Sequence, residues 1–119
     1  MKTKIITQII GLAIFGLLLL GFNSCKKDGI ARNTPTCIVE KINEFADEAC
    51  EDGQVDEYIF QGKVVYVFDH GIECGADLTS EVVLEDCTHL GYLGGISGNT
   101  TINGENFSSA KFERNIWKK

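Results

Sequence analysis

Cysteines constrain the fold of this 119-residue chain more than any other feature of its sequence. Four of the five, Cys37, Cys50, Cys74 and Cys87, lie in the polar part of the chain, and Cys25 directly follows a long apolar segment. An even number of cysteines in a small exported domain is typical of a disulfide framework. We therefore predict two disulfides among the four, which stabilise a domain whose core is small.

The first 24 residues have the order of a secretory signal. A basic start, Met1–Lys4, precedes the apolar segment Ile5–Phe22, and the small residue Ser24 stands before Cys25. A cysteine at this place is typical of lipoprotein processing, in which the thiol is acylated and the signal is cut off just before it. We predict a signal peptide over residues 1–24 and lipidation of Cys25. A retained transmembrane helix is the alternative, because the apolar segment is just long enough to span a bilayer.

Removal of the signal leaves a flexible tether over residues 25–34 and a single small domain over residues 35–119. This mature chain has nine basic and 17 acidic residues and thus a net charge of −8. So acidic a chain cannot bind nucleic acid by neutralising phosphates, and an anionic lipid surface does not attract it. We therefore expect the chain to be held at the membrane by the acyl chains on Cys25, which insert into the bilayer.

An amphipathic helix is predicted after Thr34, which can serve as its N-cap, with Pro35 in the first turn. Gly53 is expected to end it. The apolar side chains recur at helical spacing and form one stripe: Ile38, Ile42, Phe45, Ala46 and Ala49. Cys37 and Cys50 then lie at opposite ends of the helix, on the order of 20 Å apart. Because a disulfide needs Cα atoms within about 7 Å, these two cysteines cannot pair with each other.

The segment Val55–Gly71 is rich in β-branched and aromatic residues around a central glycine, which predicts a β-hairpin. A third strand is predicted around Glu81–Leu84. The hairpin brings Cys50 near Cys74, and the third strand carries Cys87 toward Cys37. We therefore favour the pairs Cys50–Cys74 and Cys37–Cys87, with Cys37–Cys74 and Cys50–Cys87 as the open alternative. The predicted fold class is α+β, one amphipathic helix packed on a small antiparallel sheet with two disulfides.

The segment Gly91–Phe107 is rich in glycine and asparagine, which indicates a run of turns. It lacks the Gly-Lys-Ser/Thr of a phosphate loop and the several carboxylates of a calcium loop. If it has a function, it is a candidate partner-binding loop, with the following central residues: Gly94, Gly95, Asn99 and Asn103. The alternation over Ala110–Trp117 predicts a closing edge strand, and Trp117 is expected in the core or at its rim.

Few residues suggest chemistry. A zinc site could be drawn from His70, Cys74, Cys87 and His89, but exported thiols are expected to be oxidised, so we predict no metal and no cofactor. No serine lies in a nucleophile motif, and we predict that the protein is not an enzyme. An acidic cluster at the predicted helix end is expected to be a solvated face, with a weak cation site or a patch for a basic partner as the alternative: Asp47, Glu48, Glu51 and Asp52.

The stretches "CIVEKINEF", "EYIFQGKVVYVF", "CGAD", "LGGISGNTTINGENF" and "IWKK" resemble a family of short Bacteroidota lipoproteins of unknown function. The resemblance covers Thr36–Lys119. It implies an outer membrane lipoprotein that faces the periplasm or the cell surface, and it assigns no functional residue. We expect a non-catalytic binding or structural module with a protein or glycan partner. The alternative is an inhibitor or immunity-type protein that blocks an enzyme through a disulfide-braced loop.

Overall fold

The computed structural model describes residues 29–119. The predicted signal peptide, the predicted lipidation site Cys25 and the first part of the tether lie outside the described residues. The elements are α1 (Thr36–Glu48), β1 (Gln54–Phe60), β2 (Lys63–Asp69), a 3₁₀ turn (Ile72–Cys74), β3 (Thr79–Leu84), β4 (His89–Gly94), β5 (Thr101–Ile102), β6 (Glu105–Asn106), a second 3₁₀ turn (Phe107–Ser109) and β7 (Lys111–Lys118). Among residues 29–119, no helix is long and apolar enough to cross a membrane.

Five strands form one antiparallel sheet in the order β4-β3-β2-β1-β7, and β5 and β6 form a separate two-stranded ribbon. The predicted hairpin is β1–β2, in which Gln54 lies opposite Asp69. The predicted third strand is β3, and the closing strand β7 lies at the sheet edge beside β1. The fold is therefore α+β with one helix on an antiparallel sheet, which confirms the predicted class.

Helix α1 packs its apolar stripe on one face of the sheet. Ile38, Ile42 and Phe45 are buried in a core with side chains from four strands: Val55, Tyr66, Phe68, Val83, Ile116 and Trp117. The helix begins at Thr36 and has Pro35 at the N-cap. The predicted capping role of Thr34 is wrong, because its hydroxyl donates to the Ala31 carbonyl 2.7 Å away.

The chain joins this core before the helix begins. Ile30 is 5% exposed, and the Ala31 amide donates to the Ile116 carbonyl on β7 at 2.9 Å. Arg114 fixes the next residue, since its Nη1 donates to the Arg32 carbonyl at 2.7 Å. The packed part of the chain thus begins within residues 25–34, the stretch assigned to the tether, because the apolar Ile30 side chain fits beside β7.

The second face of the sheet has a core of its own, built from Phe60, Val65, Val67 and Val82. The ribbon β5–β6 covers this face and contributes Ile102, which is 1% exposed. Phe107 packs beside it, with its ring centroid 5.0 Å from that of Phe60. The glycine-rich segment therefore forms turns, as predicted, but those turns support a strand β4 and a covering ribbon that the sequence did not indicate.

Two disulfides clamp α1 to the sheet, one near each end of the helix. Cys37 pairs with Cys87 in the β3–β4 turn at a Cα distance of 6.0 Å, and Cys50 pairs with Cys74 at 5.5 Å. This is the pairing favoured from the sequence. The zinc site drawn from His70, Cys74, Cys87 and His89 does not form, because the Cys74 and Cys87 sulfurs are both in disulfides. Within the part of the chain that the structure describes, no three His, Cys, Asp or Glu residues are grouped to hold a metal ion.

Strand β7 buries two successive side chains, Ile116 and Trp117, so the strict alternation predicted for it is wrong. Val55 lies opposite Trp117, but the next residue of β1 lies opposite Asn115. Ile116 is therefore an extra residue in the pairing, as in a β-bulge, which lets both side chains face the core. Trp117 packs in that core, with its ring centroid 6.0 Å from that of Phe45.

Candidate functional site

One end of the sheet carries most of the irregular chain. In order across the sheet, Lys118, Gln54, Asp69, Thr79 and Gly94 lie at this end. The C-terminal end of α1 lies here too, because the Cys50 amide donates to the carbonyl of the residue after β2 at 2.9 Å. We call this region, formed by residues 50–53, 70–78 and 95–98, the loop end.

Three large aliphatic side chains are exposed at the loop end. Ile72 is 76% exposed, Leu78 is 46% exposed and Ile96 is 91% exposed. Ile72 and Leu78 line one cavity of about 210 Å³, together with His70 and Ala76. Contiguous apolar side chains on a surface rimmed by polar residues mark interaction sites, whereas single exposed ones are ordinary. The cavity makes Ile72 and Leu78 a contiguous patch.

The loop that carries Ile72 is held rigidly. Besides the Cys50–Cys74 disulfide, the Asp52 carboxylate accepts from the Ile72 amide at 2.8 Å and from the Glu73 amide at 3.4 Å. Gly71 has a φ of +94° and a Cβ there would collide with Asp52, so only glycine fits this position without strain. A side chain presented by so constrained a loop loses little conformational entropy on binding.

The rim of the loop end is acidic. Seven carboxylates belong to α1 and to the segments beside its end: Asp47, Glu48, Glu51, Asp52, Asp69, Glu73 and Asp77. Two lysines at the same end of the sheet, Lys118 and Lys119, offset part of this negative charge. The Lys119 ammonium donates to the carbonyls of Ala46 and Ala49, so it stabilises the end of α1, where an acidic cluster alone is unfavourable.

A second depression, the helix–sheet groove, runs between α1 and strands β2–β4 and holds about 220 Å³. Its lining residues come from all four elements and the residue after β2: Lys41, Glu44, Phe45, Glu48, Phe68, His70, Thr79, Glu81 and Tyr92. His70 and Thr79 also line the loop-end cavity, so the two depressions share a wall. The groove and the loop end are therefore parts of one surface.

Glu81 organises one end of the groove. Its carboxylate accepts from Lys41 Nζ and lies against His89 Nδ1, both at 2.7 Å. Burial alone raises the pKa of Glu81, but the hydrogen bonds and charges of Lys41 and His89 outweigh it and hold the pKa below its usual value. Lys41 Nζ also lies 5.4 Å from the Phe68 ring centroid, within cation–π range.

His70 stands at the other end of the groove. Its ring centroid lies 4.9 Å from that of Phe45, and its Nε2 lies 3.6 Å from a Glu48 carboxylate oxygen. Its Nδ1 is buried and has no hydrogen-bond partner among residues 29–119. Glu44 forms no ion pair with any other described residue, and the ion pair of Glu48 is the one with His70.

The residues of the candidate partner-binding loop are only partly brought together. Gly94, Gly95 and Asn99 lie at the loop end, where the Asn99 amide group donates to the carbonyls of Tyr92 and Thr101. Asn103 lies at the opposite end of the sheet, where its amide donates to Gln61 at 2.9 Å in the β1–β2 turn. Both asparagines thus hold the ribbon in place.

Sequence reasoning missed the two most exposed large apolar side chains of the loop end, Ile72 and Ile96. Each is an isoleucine between glycines, in "HGIECG" and "LGGISGN". The sequence did contain a signal for these exposed residues. Each is a β-branched apolar residue inside a turn-forming stretch, where the turn itself does not require one. The groove gave no signal, since its lining comes from four separate segments.

The second sheet face has an uncharged cleft of about 430 Å³ beside the ribbon, lined by Tyr58, Leu93, Phe107 and Ala110 among others. The Tyr58 ring centroid lies 5.2 Å from that of Phe107 and 5.6 Å from that of Phe112. Burial, with the nearby aspartates, raises the pKa of the Tyr58 hydroxyl. The amides at the rim of the cleft bond to the chain itself, so the cleft is a weaker candidate than the loop end.

The fold and the site define a small disulfide-braced α+β domain that presents an apolar, acid-rimmed loop surface. The chain belongs to the family described as a domain of unknown function (DUF6970), whose model matches residues 41–119. The match covers all seven strands and α1 from Lys41 onward. No curated protein and no solved structure matches the chain. A function must therefore be argued from the site itself.

Proposed function

We propose that this protein is an outer membrane lipoprotein of the Bacteroidota type, whose domain binds a partner protein through the loop end and catalyses no reaction. The observation that supports binding is the set of exposed aliphatic side chains Ile72, Leu78 and Ile96 on loops at one end of a rigid sheet. Aliphatic side chains in water gain free energy when a partner covers them, about 25 cal/mol per Å². The constrained loop keeps the entropy cost of binding small.

The anchoring part of the proposal depends on Cys25. The other four cysteines pair with one another, which leaves the Cys25 thiol for acylation. The order of basic, apolar and small residues before Cys25 fits signal removal at that point. Residues Lys26, Lys27 and Asp28 partly resemble the signal that sends lipoproteins to the cell surface in Bacteroidota. The protein would face the periplasm or the cell surface, held by acyl chains.

The variant Cys25→Ala is expected to leave the membrane fraction, because it removes the atom to which the acyl chains are attached. We would separate membranes from the soluble fraction, wash them with alkaline carbonate, and determine the mass of the N-terminal peptide. Wild type should remain with the membranes and carry acyl chains. If Cys25→Ala also resists the wash with residues 1–24 still attached, the chain is anchored by a retained helix instead.

Binding at the loop end can be tested by photo-crosslinking in intact cells. A photoreactive amino acid in place of Ile72 or Ile96 is expected to capture a protein, because both side chains would lie in the interface. Phe112 is the matched control, since it is 54% exposed but lies near the opposite end of the sheet. Capture from Phe112 alone would place the interface elsewhere, and capture from none of the three would refute a protein partner.

An inhibitor or immunity-type role is the second candidate, and the exposure of Ile96 favours it. This side chain is 91% exposed in a turn braced by backbone hydrogen bonds between Gly94 and Asn99. A rigid turn with one exposed aliphatic side chain suits insertion into an enzyme's cleft. The two roles differ in the captured protein: for an inhibitor it is an enzyme whose activity falls when the purified chain is added, and Ile96→Ser abolishes that loss.

A further inference from the structure

We infer that the partner of the loop end inserts a basic side chain into the helix–sheet groove, beside Glu44 and Glu48. This inference rests on the proposed function, because it names the kind of partner that the same surface fits. The partner would present a lysine or arginine flanked by apolar residues. The apolar residues would cover Ile72 and Leu78 while the cation enters the groove.

Charge is the first argument. Of the ionised groups that line the groove, Lys41 is positive and Glu44, Glu48 and Glu81 are negative. Lys41 is already paired with Glu81 at 2.7 Å, so it does not neutralise the other two carboxylates. The rim of the adjoining loop end is acidic as well. A basic side chain is therefore attracted from the moment of approach, whereas an acidic one is repelled.

The second argument is that the groove already holds one cation of the chain itself. Lys41 Nζ lies over the Phe68 ring and contacts the Glu81 carboxylate, a combination of aromatic face and anion that suits an ammonium or guanidinium group. At the other end of the groove the described part of the chain supplies only a histidine: the His70 ring packs on Phe45, with centroids 4.9 Å apart, and its Nε2 lies 3.6 Å from Glu48. Glu44 forms no ion pair with another described residue and Glu48 pairs only with His70 among them, so both carboxylates can pair with a partner's cation.

Size and continuity make the third argument. The groove holds about 220 Å³, which is less than the roughly 300–1,000 Å³ of small-molecule sites. One side chain fits it better than a cofactor does. Because His70 and Thr79 line both the groove and the loop-end cavity, a residue in the groove places its sequence neighbours over Ile72 and Leu78.

The test uses the full chain, purified from membranes in mild detergent, and two blocked tetrapeptides, acetyl-Leu-Arg-Leu-Leu-amide and the same peptide with citrulline for arginine. Citrulline keeps the shape of arginine and lacks its charge. Binding is followed by NMR through the backbone amides of His70 and Tyr92. We expect the arginine peptide to bind about tenfold more tightly, with an affinity that falls as salt is added.

The variant Glu44→Gln/Glu48→Gln is expected to weaken binding of the arginine peptide about tenfold and to leave the citrulline peptide unchanged. Glu40→Gln/Glu85→Gln is the control, because it changes the net charge equally at exposed residues that do not line the groove. The affinity of this control variant for each peptide should equal that of the wild-type protein. Identical amide spectra away from the groove would establish that each variant is folded.

Equal binding of the two peptides, an unchanged affinity in Glu44→Gln/Glu48→Gln, or no binding of the arginine peptide at millimolar concentration would each overturn the inference. The proposed function has a separate readout, since crosslinking from Ile72 and Ile96 does not depend on a basic side chain. If those crosslinks persist in Glu44→Gln/Glu48→Gln cells and the peptides do not discriminate, the loop end binds a protein of different chemistry.

Discussion

Removal of the Cys37–Cys87 disulfide, by replacing both cysteines with alanine, is expected to lower the free energy of unfolding by about 3.5 kcal/mol, because the intact Cys50–Cys74 bridge already shortens the loop that it closes. The bridge closes a loop of 50 residues and joins the start of α1 to the β3–β4 turn. Without it the unfolded chain regains the conformations that the bridge forbids. A small domain has roughly 5–15 kcal/mol of stability, so this loss is a large fraction of the total.

Urea denaturation followed by Trp117 fluorescence would measure the loss, because Trp117 is the single tryptophan and is 7% exposed. The comparison variant is Cys50→Ala/Cys74→Ala, whose bridge spans 24 residues and, with the outer bridge still closed, should cost about 3 kcal/mol. A loss below about 1 kcal/mol in both variants would mean that the apolar core alone holds α1 on the sheet.

Ile102→Ala is expected to cost about 3 kcal/mol, because it leaves a cavity in the core that the ribbon β5–β6 forms with the second sheet face. Ile102 is 1% exposed there. Ile96→Ala is the matched control: it removes the same atoms six residues earlier, from a side chain that is 91% exposed, and should change stability by less than about 0.5 kcal/mol.

The same urea titration would compare the two isoleucine variants. A large difference between them would establish that the glycine-rich segment is part of the folded core. Equal small effects would instead mean that the ribbon lies on the sheet without contributing to its stability. Ile96→Ala has a second use, because a variant of wild-type stability is suitable for binding experiments at the loop end.

The elements with a clear periodicity could be predicted from the sequence. The apolar stripe of α1 and the β-branched hairpin Val55–Gly71 carry local patterns, and these placed both disulfides correctly in space. Strand β4 and the ribbon could not be predicted in this way. Their apolar residues, such as Ile102 and Phe107, stand singly among turn residues, and only long-range packing makes them buried.

The candidate site was less predictable than the fold, for a related reason. Gly94 and Gly95 were singled out, and they directly precede the exposed Ile96. However, the loop end also takes Ile72 and Leu78 from a separate segment, and exposure depends on what the rest of the chain leaves uncovered. The anchoring at Cys25 and the partner-binding role of the loop remain predictions, which the crosslinking and fractionation experiments address.

The two disulfides are nested, since the Cys50–Cys74 bridge lies inside the segment that Cys37–Cys87 encloses. Once the inner bridge has closed around the hairpin, the path between Cys37 and Cys87 shortens to about half its length. By the logarithmic cost of loop closure, the outer bridge then forms at about 0.6 kcal/mol less entropy cost. Oxidation of the chain therefore has a preferred order, in which Cys50–Cys74 forms before Cys37–Cys87. This order helps the chain to avoid the alternative pairs Cys37–Cys74 and Cys50–Cys87.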